Sequence, residues 1–309
     1  MINQIEEKYM RRALELATKG RGATSPNPMV GAVIVKNGKI IGEGYHKKAG
    51  AAHAEINALR QAGHKAKGAT LYVTLEPCCT FGKTPPCSDA IIGAGIKKVI
   101  VAAKDPNPLN NGKGISILKG RGIMVKTGVL GQEARHLNEI FEKYITTKMP
   151  FVILKMAESL DGKIATKTGN SKWISCEKSR RLVHSLRKQV DAVMVGANTN
   201  HIDKPRLKEA KVKIKISRHM VNLRKFLKGL AKKQVTSVLC EGGGELAASL
   251  LKDGLADKVM FFIAPKIIGG RRAKTAVEGD GIDKIQQAIK LKDMAVRKID
   301  KDILVEAYI

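Results

Sequence analysis

Three short segments of the 309-residue chain place metal-ligating and proton-carrying side chains at spacings suited to hydrolysis. They are His53-Ala54-Glu55, Glu76-Pro77-Cys78 and Cys87. Activating water near neutral pH needs a metal with an open coordination position, and three histidine or cysteine ligands leave the fourth place free. One imidazole and two thiolates suit zinc best. A helix is expected to begin at His53, so one side chain binds the metal while Glu55 reaches the same water. Glu55 is then a proton carrier and not a ligand, the division of labour found in zinc deaminases. A lone His-x-Glu usually marks a solvated helix start, and two cysteines nine positions apart are often packing thiols. Found together at the head of a helix and the end of a strand, they favour a metal site. Cys79, the nearest alternative ligand, is read as a packing or supporting residue.

The elements that must position these groups alternate between strand-like and helix-like blocks, the signature of α/β architecture. A helix is expected from about Glu6 to Lys19. Two strands follow, Val30 to Lys36 and Lys39 to Tyr45, joined by Asn37-Gly38, a pair that accepts the positive φ of a tight hairpin turn. His53 to Ala62 reads as a helix, and ATLYVTL as a strand leading into the cysteine-bearing loop. Next come a helix through Asp89 to Ala94, the strand KKVIVAA, the loop Asp105-Pro106-Asn107-Pro108 and one amphipathic helix from Gln132 to Tyr144. The stretch Thr146 to Pro150 reads as a boundary between domains 1–147 and 148–309. Beyond it the alternation restarts with FVILKMA. Helices are expected near Glu177 to Lys188 and Glu245 to Leu251, with strands DAVMVG, VTSVLC and KVMFFIA between and after them. The chain's length supports two domains.

Composition narrows the class. Apolar residues make up 43% and charged residues 27%, which is ordinary globular composition. There is no apolar run of membrane-spanning length and no recognisable export signal, so the chain reads as soluble and cytoplasmic, with no membrane partner. Five cysteines, three of them crowded into one loop, favour metal or catalysis over a disulfide framework. The net charge of +28 raises nucleic-acid binding by a basic C-terminal half as an alternative. Aromatics are only 4% and no basic run is interleaved with stacking residues, so no nucleic-acid partner is expected. A basic surface that draws in small anionic substrates is the favoured reading.

With TSPNPMVGAVIV, HAE, LEPCCTFGKTPPC and DPNP in view, the N-terminal half closely resembles the deaminase domain of the bifunctional riboflavin-biosynthesis deaminase/reductases. The GKTPPC loop between the cysteines is longer than the compact P-C-x-x-C of nucleoside and nucleic-acid deaminases. The resemblance implies a cytidine-deaminase-like three-layer α/β/α domain. It also implies zinc-dependent deamination of a diaminohydroxyphosphoribosylaminopyrimidine to the aminouracil. Carried over by position, His53, Cys78 and Cys87 hold zinc, Glu55 is catalytic, Asn27, His46 and Asn107 line the substrate pocket, and Lys83 with Thr84 grips the phosphate. Thr80 stands where family members commonly carry histidine.

KMAESLDGKIAT, the SKWI segment from Ser171, VGANT and EGGGELAASLL resemble the reductase half of the same family. That resemblance implies a dihydrofolate-reductase-like α/β domain that uses NADPH to reduce the ribosyl group to a ribityl chain, within a homo-oligomer. By the same carry-over, Ala157, Trp173, Thr199, Asp203 and the run Gly243, Gly244, Glu245, Leu246, Ala247, Ala248, Ser249 contact NADPH. Ser171, Arg187, Leu207 and Glu241 contact the phosphoribosyl substrate. After Leu207 the chain departs from the family. A block of about 30 or more residues, the size of a βαβ unit, is missing. Ala210 stands where the family has a substrate-binding arginine. Losing a strand with its covering helix is expected to leave an apolar sheet edge.

Overall fold

The computed structural model describes residues 4–81, 85–196, 210–216 and 222–309. It divides into two compact units, Met1–Lys148 and Met149–Ile309.

The first unit is a five-stranded sheet of β1 (Gly31–Lys36), β2 (Lys39–Tyr45), β3 (Thr70–Leu75), β4 (Lys98–Ala103) and β5 (Met124–Thr127), in the order β2-β1-β3-β4-β5. β2-β1-β3 are antiparallel, whereas β3, β4 and β5 run parallel. Helices α1 (Gln4–Thr18), α2 (Ala54–Ala62), α3 (Cys87–Gly93), α4 (Lys113–Gly120), α5 (Gly131–Leu137) and α6 (Glu139–Thr147) complete the unit. Side chains of a strand alternate between faces, and both faces here are covered. Ala32 and Ile34 of β1, with Val99 and Val101 of β4, join α2, α3 and α4 in one core. Val33 and Val35, with Ile100 and Ala102, join α1 and α5 in the other. This double burial explains why the strands read as continuous apolar runs.

The hairpin turn expected at Asn37-Gly38 forms, with φ of 50° and 72°. The expected single helix from Gln132 to Tyr144 is instead two, broken at Asn138. That residue leaves helical geometry (φ −109°, ψ 21°), and its side-chain amide accepts from Met29 N and donates to Met29 O. A local hydrogen-bonding alternative for asparagine outcompetes the helix there.

The second unit is a seven-stranded sheet of β6 (Phe151–Ser159), β7 (Ala192–Gly196), β8 (Val212–Ile216), β9 (Ser237–Cys240), β10 (Lys258–Ala264), β11 (Lys292–Ile299) and β12 (Asp302–Tyr308). Its order is β11-β12-β10-β6-β9-β7-β8, with β12 antiparallel to both β10 and β11 and every other pair parallel. Helices α7 (Glu177–Gln189), α8 (Leu223–Lys232) and α9 (Gly244–Lys252) lie among these strands in sequence. Val152, Leu154 and Met156 of β6 join Leu227 of α8 and Leu250 of α9 in the core. The start of α7 is capped from a distance, because Asp302 accepts from Cys176 N at 2.7 Å and from Ser179 Oγ at 2.6 Å. Among the described residues the sheet ends on β8, where Val212 is 41% exposed. Its last described strand, β8, buries Ile214 and Ile216 and turns Lys213 and Lys215 outward, an arrangement that guards an edge against pairing.

Candidate functional site

Two residues of the first site are placed by one helix start. His53 is the N-cap of α2, in extended geometry at φ −69° and ψ 163°, and Glu55 lies in the first turn. The helix sits tightly on β2 because Gly44 has no side chain; a Cβ there would come within 2.2 Å of Ala54 O. From the other side, β3 ends at Leu75 and the chain turns through Glu76-Pro77 to Cys78. Glu76 is buried and fixes this turn. It accepts from Asp105 N at 3.1 Å, Gly112 N at 2.8 Å and Ile115 N at 3.2 Å. Gly114 permits that approach, since a Cβ there would lie 2.1 Å from Pro77 O. Cys87, fully buried, opens α3.

These elements bring His53, Cys78 and Cys87 together, with their ligand atoms all within 4.8 Å of one another. His53 Nδ1 lies 3.1 Å from Cys87 Sγ and 3.5 Å from Cys78 Sγ. Tetrahedral zinc with its usual Zn–N and Zn–S bonds spaces such atoms about 3.5–3.8 Å apart, so the donor set and its spacing fit the ion. The Cys78 thiol is held well below the usual thiol range, chiefly by the Cys87 thiol donating to it and then by His53. The Cys87 thiol is pushed up as the partner that keeps its proton. The hydrogen bond to Cys78 raises His53. Glu55 is 3% exposed, and its carboxyl faces the Cys87 thiol. Burial first, and then the charge on Cys78, push it up to about 7.

Beside the cluster stands His46, its ring 5.4 Å from that of His53 and edge-on to it. Burial lowers the His46 pKa, so the ring is neutral. Its Nδ1 lies 3.2 Å from Ala52 O and its Nε2 lies 3.1 Å from Asn27 Nδ2. Only one tautomer satisfies both: Nδ1–H donates to the carbonyl, and Nε2 accepts from Asn27. Asn107 lies on the loop that Glu76 clamps, and its Oδ1 accepts from Leu109 N at 3.1 Å. Cys79 donates towards Asn110 Oδ1 and takes no part in the cluster. Lys83, Thr84, Thr199, Asp203 and Leu207 fall outside the described residues.

The second unit holds a cavity of about 560 Å3. Ala157, Ser171, Trp173, Arg187, Glu241 and Gly243 line it. Glu241 receives a two-pronged contact from Arg187, Nε at 2.6 Å and Nη2 at 2.9 Å, and a third donor from Lys155 Nζ at 3.3 Å. Burial alone would raise its pKa, but the two cations bring it below the usual carboxylate range. Gly244 begins α9, where a Cβ would lie 2.5 Å from Thr275 O. Further along α9, Ala247 is buried in the core and Ser249 Oγ is bonded back to Glu245 O; Glu245 is exposed, with Leu246 and Ala248 half-buried. The exposed Trp173 indole, the glycine-lined helix start and the cationic lining suit a dinucleotide that carries phosphates. Lys155 and Arg180 also line this cavity and were not singled out from the sequence. Their signals were present. A lysine inside the apolar strand FVILKMAES requires a buried partner, and Arg180, His184 and Arg187 recur at i, i+4 and i+7.

Comparison with known proteins accounts for both units. Residues 3–103 match the cytidine and deoxycytidylate deaminase zinc-binding region, and 150–214 with 206–305 match the RibD C-terminal domain. The riboflavin biosynthesis protein RibD of Aquifex aeolicus is 43% identical over 355 aligned positions, covering 99% of each chain. The chain belongs to the RibD family. Among solved structures, an Acinetobacter baumannii RibD is similar with a TM-score of 0.89 at 36% identity, covering 99% of each chain. A Thermotoga maritima diaminohydroxyphosphoribosylaminopyrimidine deaminase/5-amino-6-(5-phosphoribosylamino)uracil reductase matches with a TM-score of 0.89 at 38% identity, covering 98% of each. The Aquifex alignment exceeds the 309 residues of this chain by 46 positions, so at least that many fall opposite gaps in it. The C-terminal model matches in two pieces that both claim 206–214, which places a break there.

The buried charge cluster of the second unit yields a stability prediction. A depressed carboxylate contributes stability that is present above its unfolded pKa and lost as pH falls through the folded value. Glu241→Gln removes the carboxylate that half-buried Lys155 and Arg187 share, costing about 1–3 kcal/mol at neutral pH. In thermal melts from pH 7 to 3, the gap between wild type and variant is expected to shrink as pH falls below the unfolded glutamate value of about 4.3. A gap that stays constant with pH would contradict the pairing.

Proposed function

We propose that His53, Cys78 and Cys87 hold the zinc of the first unit, that Glu55 carries its proton, and that the second unit's cavity is the reductase site. As a RibD, the chain is a bifunctional enzyme of riboflavin biosynthesis, with a zinc-dependent deaminase and an NADPH-dependent reductase. Its substrates are small phosphoribosyl pyrimidines. The observation that carries the residue assignment is the buried Glu55 carboxyl facing a His/Cys/Cys cluster of zinc-like spacing.

Zinc at that cluster supplies the Lewis acidity that makes water nucleophilic near neutral pH. The remaining work falls to the chain's own groups. A carboxyl poised at about 7 both accepts and returns a proton at working pH, so Glu55 takes one from water and delivers it to the pyrimidine as ammonia departs. Neutral His46 holds the Asn27 amide nitrogen, leaving the Asn27 oxygen to orient the ring's amino group. Lys83 and Thr84 grip the phosphate. In the second unit Trp173 and the run from Gly243 to Ser249 hold NADPH, together with Ala157, Thr199 and Asp203. Ser171, Arg187, Leu207 and Glu241 hold the phosphoribosyl substrate. A thiol-ligated zinc site suits a reducing compartment, and we place the protein in the cytoplasm. Among the described residues no helix is long and apolar enough to cross a membrane.

The assembly is inferred to be a homo-oligomer through the outer edge of the second unit. There β11 is exposed over nearly its whole length, with Met294 65% and Val296 59% exposed, and Ile285 nearby in sequence is 79% exposed. Apolar exposure of this kind marks interaction sites.

Two outcomes are expected. Glu55→Gln retains bound zinc by metal analysis while ammonia release falls by about 10²–10⁴-fold; intact turnover, or loss of zinc, would contradict the role given to Glu55. Val296→Asp lowers the mass measured by light scattering while deaminase turnover persists, and an unchanged mass would remove this edge as the interface.

A further inference from the structure

The charges lining the second cavity are distributed unevenly. Among the described residues, Lys155, Lys172, Arg180 and Arg187 face it with one carboxylate, Glu241. Lys155 and Arg187 are both engaged by Glu241. Arg180, two turns before Arg187 on the same face of α7, meets no carboxylate among the described residues. It is nonetheless fixed. Its Nη1 donates to Ser175 O at 2.6 Å, and its guanidinium carbon lies 4.6 Å from the centroid of the Trp173 ring. The carbonyl and the indole face orient the guanidinium plane without neutralising it. Nε and Nη2 are left without a protein partner among the described residues. Lys172, exposed and adjacent to Trp173, adds a second cation to the lining that meets no carboxylate among the described residues.

A planar guanidinium held in one orientation, with two donors unspent and a second cation nearby, is matched to a phosphate monoester, whose oxygens accept parallel hydrogen bonds from such a fork. We propose that Arg180 is a phosphate-binding residue of this cavity. It takes a terminal phosphate monoester of a bound ligand, while Lys155 and Arg187 are committed to Glu241. The same chemistry is offered by the 5'-phosphate of a phosphoribosyl substrate and by the 2'-phosphate of NADPH. Trp173 then serves Arg180 as a support as well as lining the site. The proposal rests on reading the cavity as the reductase site.

The test is calorimetric titration of the full chain with two matched pairs, ribose 5-phosphate against ribose and NADPH against NADH. Arg180→Gln is expected to reduce the preference for the phosphate-bearing member of one pair by about tenfold or more, the loss typical of charge-assisted hydrogen bonds. A drop in the ribose pair assigns the residue to substrate, and a drop in the NADPH/NADH pair assigns it to cofactor. Arg180→Lys keeps the charge but loses the fork, so it should retain part of the preference, and it serves if the glutamine variant does not fold. Unchanged preference in both pairs, or equal weakening of ligands with and without phosphate, overturns the proposal and leaves the reductase reading intact. Failure of wild type to bind NADPH counts against the reductase reading, and the ribose pair still decides the role of Arg180.

Discussion

Two thiols and an imidazole held within 4.8 Å of one another constitute an arrangement that a folded chain does not adopt without cause. Each group comes from a different element: a helix cap, a turn after a strand and the first residue of a second helix. Their convergence demands close packing around them, and the glycines at 44 and 114 mark where backbone must approach backbone to achieve it. The Glu76 carboxylate spends its oxygens on three main-chain amides and holds the Cys78 turn against the loop from Asp105 to Ile115. Burying Glu55 beside these thiols costs solvation of its charge. That cost pushes the carboxyl's pKa up.

The second unit solves a different electrostatic problem. It encloses a carboxylate with two cations and leaves further positive charge in the cavity lining. That distribution suits ligands with an anionic end and a polar, uncharged body. The chain is shorter here than its relatives, and the described sheet nevertheless ends on a strand that keeps its isoleucines inward and its lysines outward. Residues 206–214 satisfy two parts of the family model at once.

Much of this was legible in the sequence because period-2 and period-3.6 patterns report burial directly. Asn37-Gly38 announced its hairpin, and HAE with PC announced a metal cluster by residue type alone. What escaped was decided by long-range contacts. Asn138 breaks a helix that its neighbours favour, because Met29 offers its backbone from 109 positions away. The β11-β12 hairpin was missed because β11, exposed on both faces, lacks the alternation that identifies a half-buried strand. Asp302 caps a helix 126 positions upstream, which no local motif encodes. Lys155 and Arg180 acquire meaning only when Glu241 and Trp173 are brought to them.

The most direct test of the central claim is X-ray absorption at the zinc edge on the purified, metal-loaded protein. The account predicts a first shell of two sulfurs near 2.3 Å and two lighter N/O scatterers near 2.0–2.1 Å, with one of the sulfurs lost in Cys87→Ser. A shell without sulfur, or one unchanged by Cys87→Ser, would contradict it.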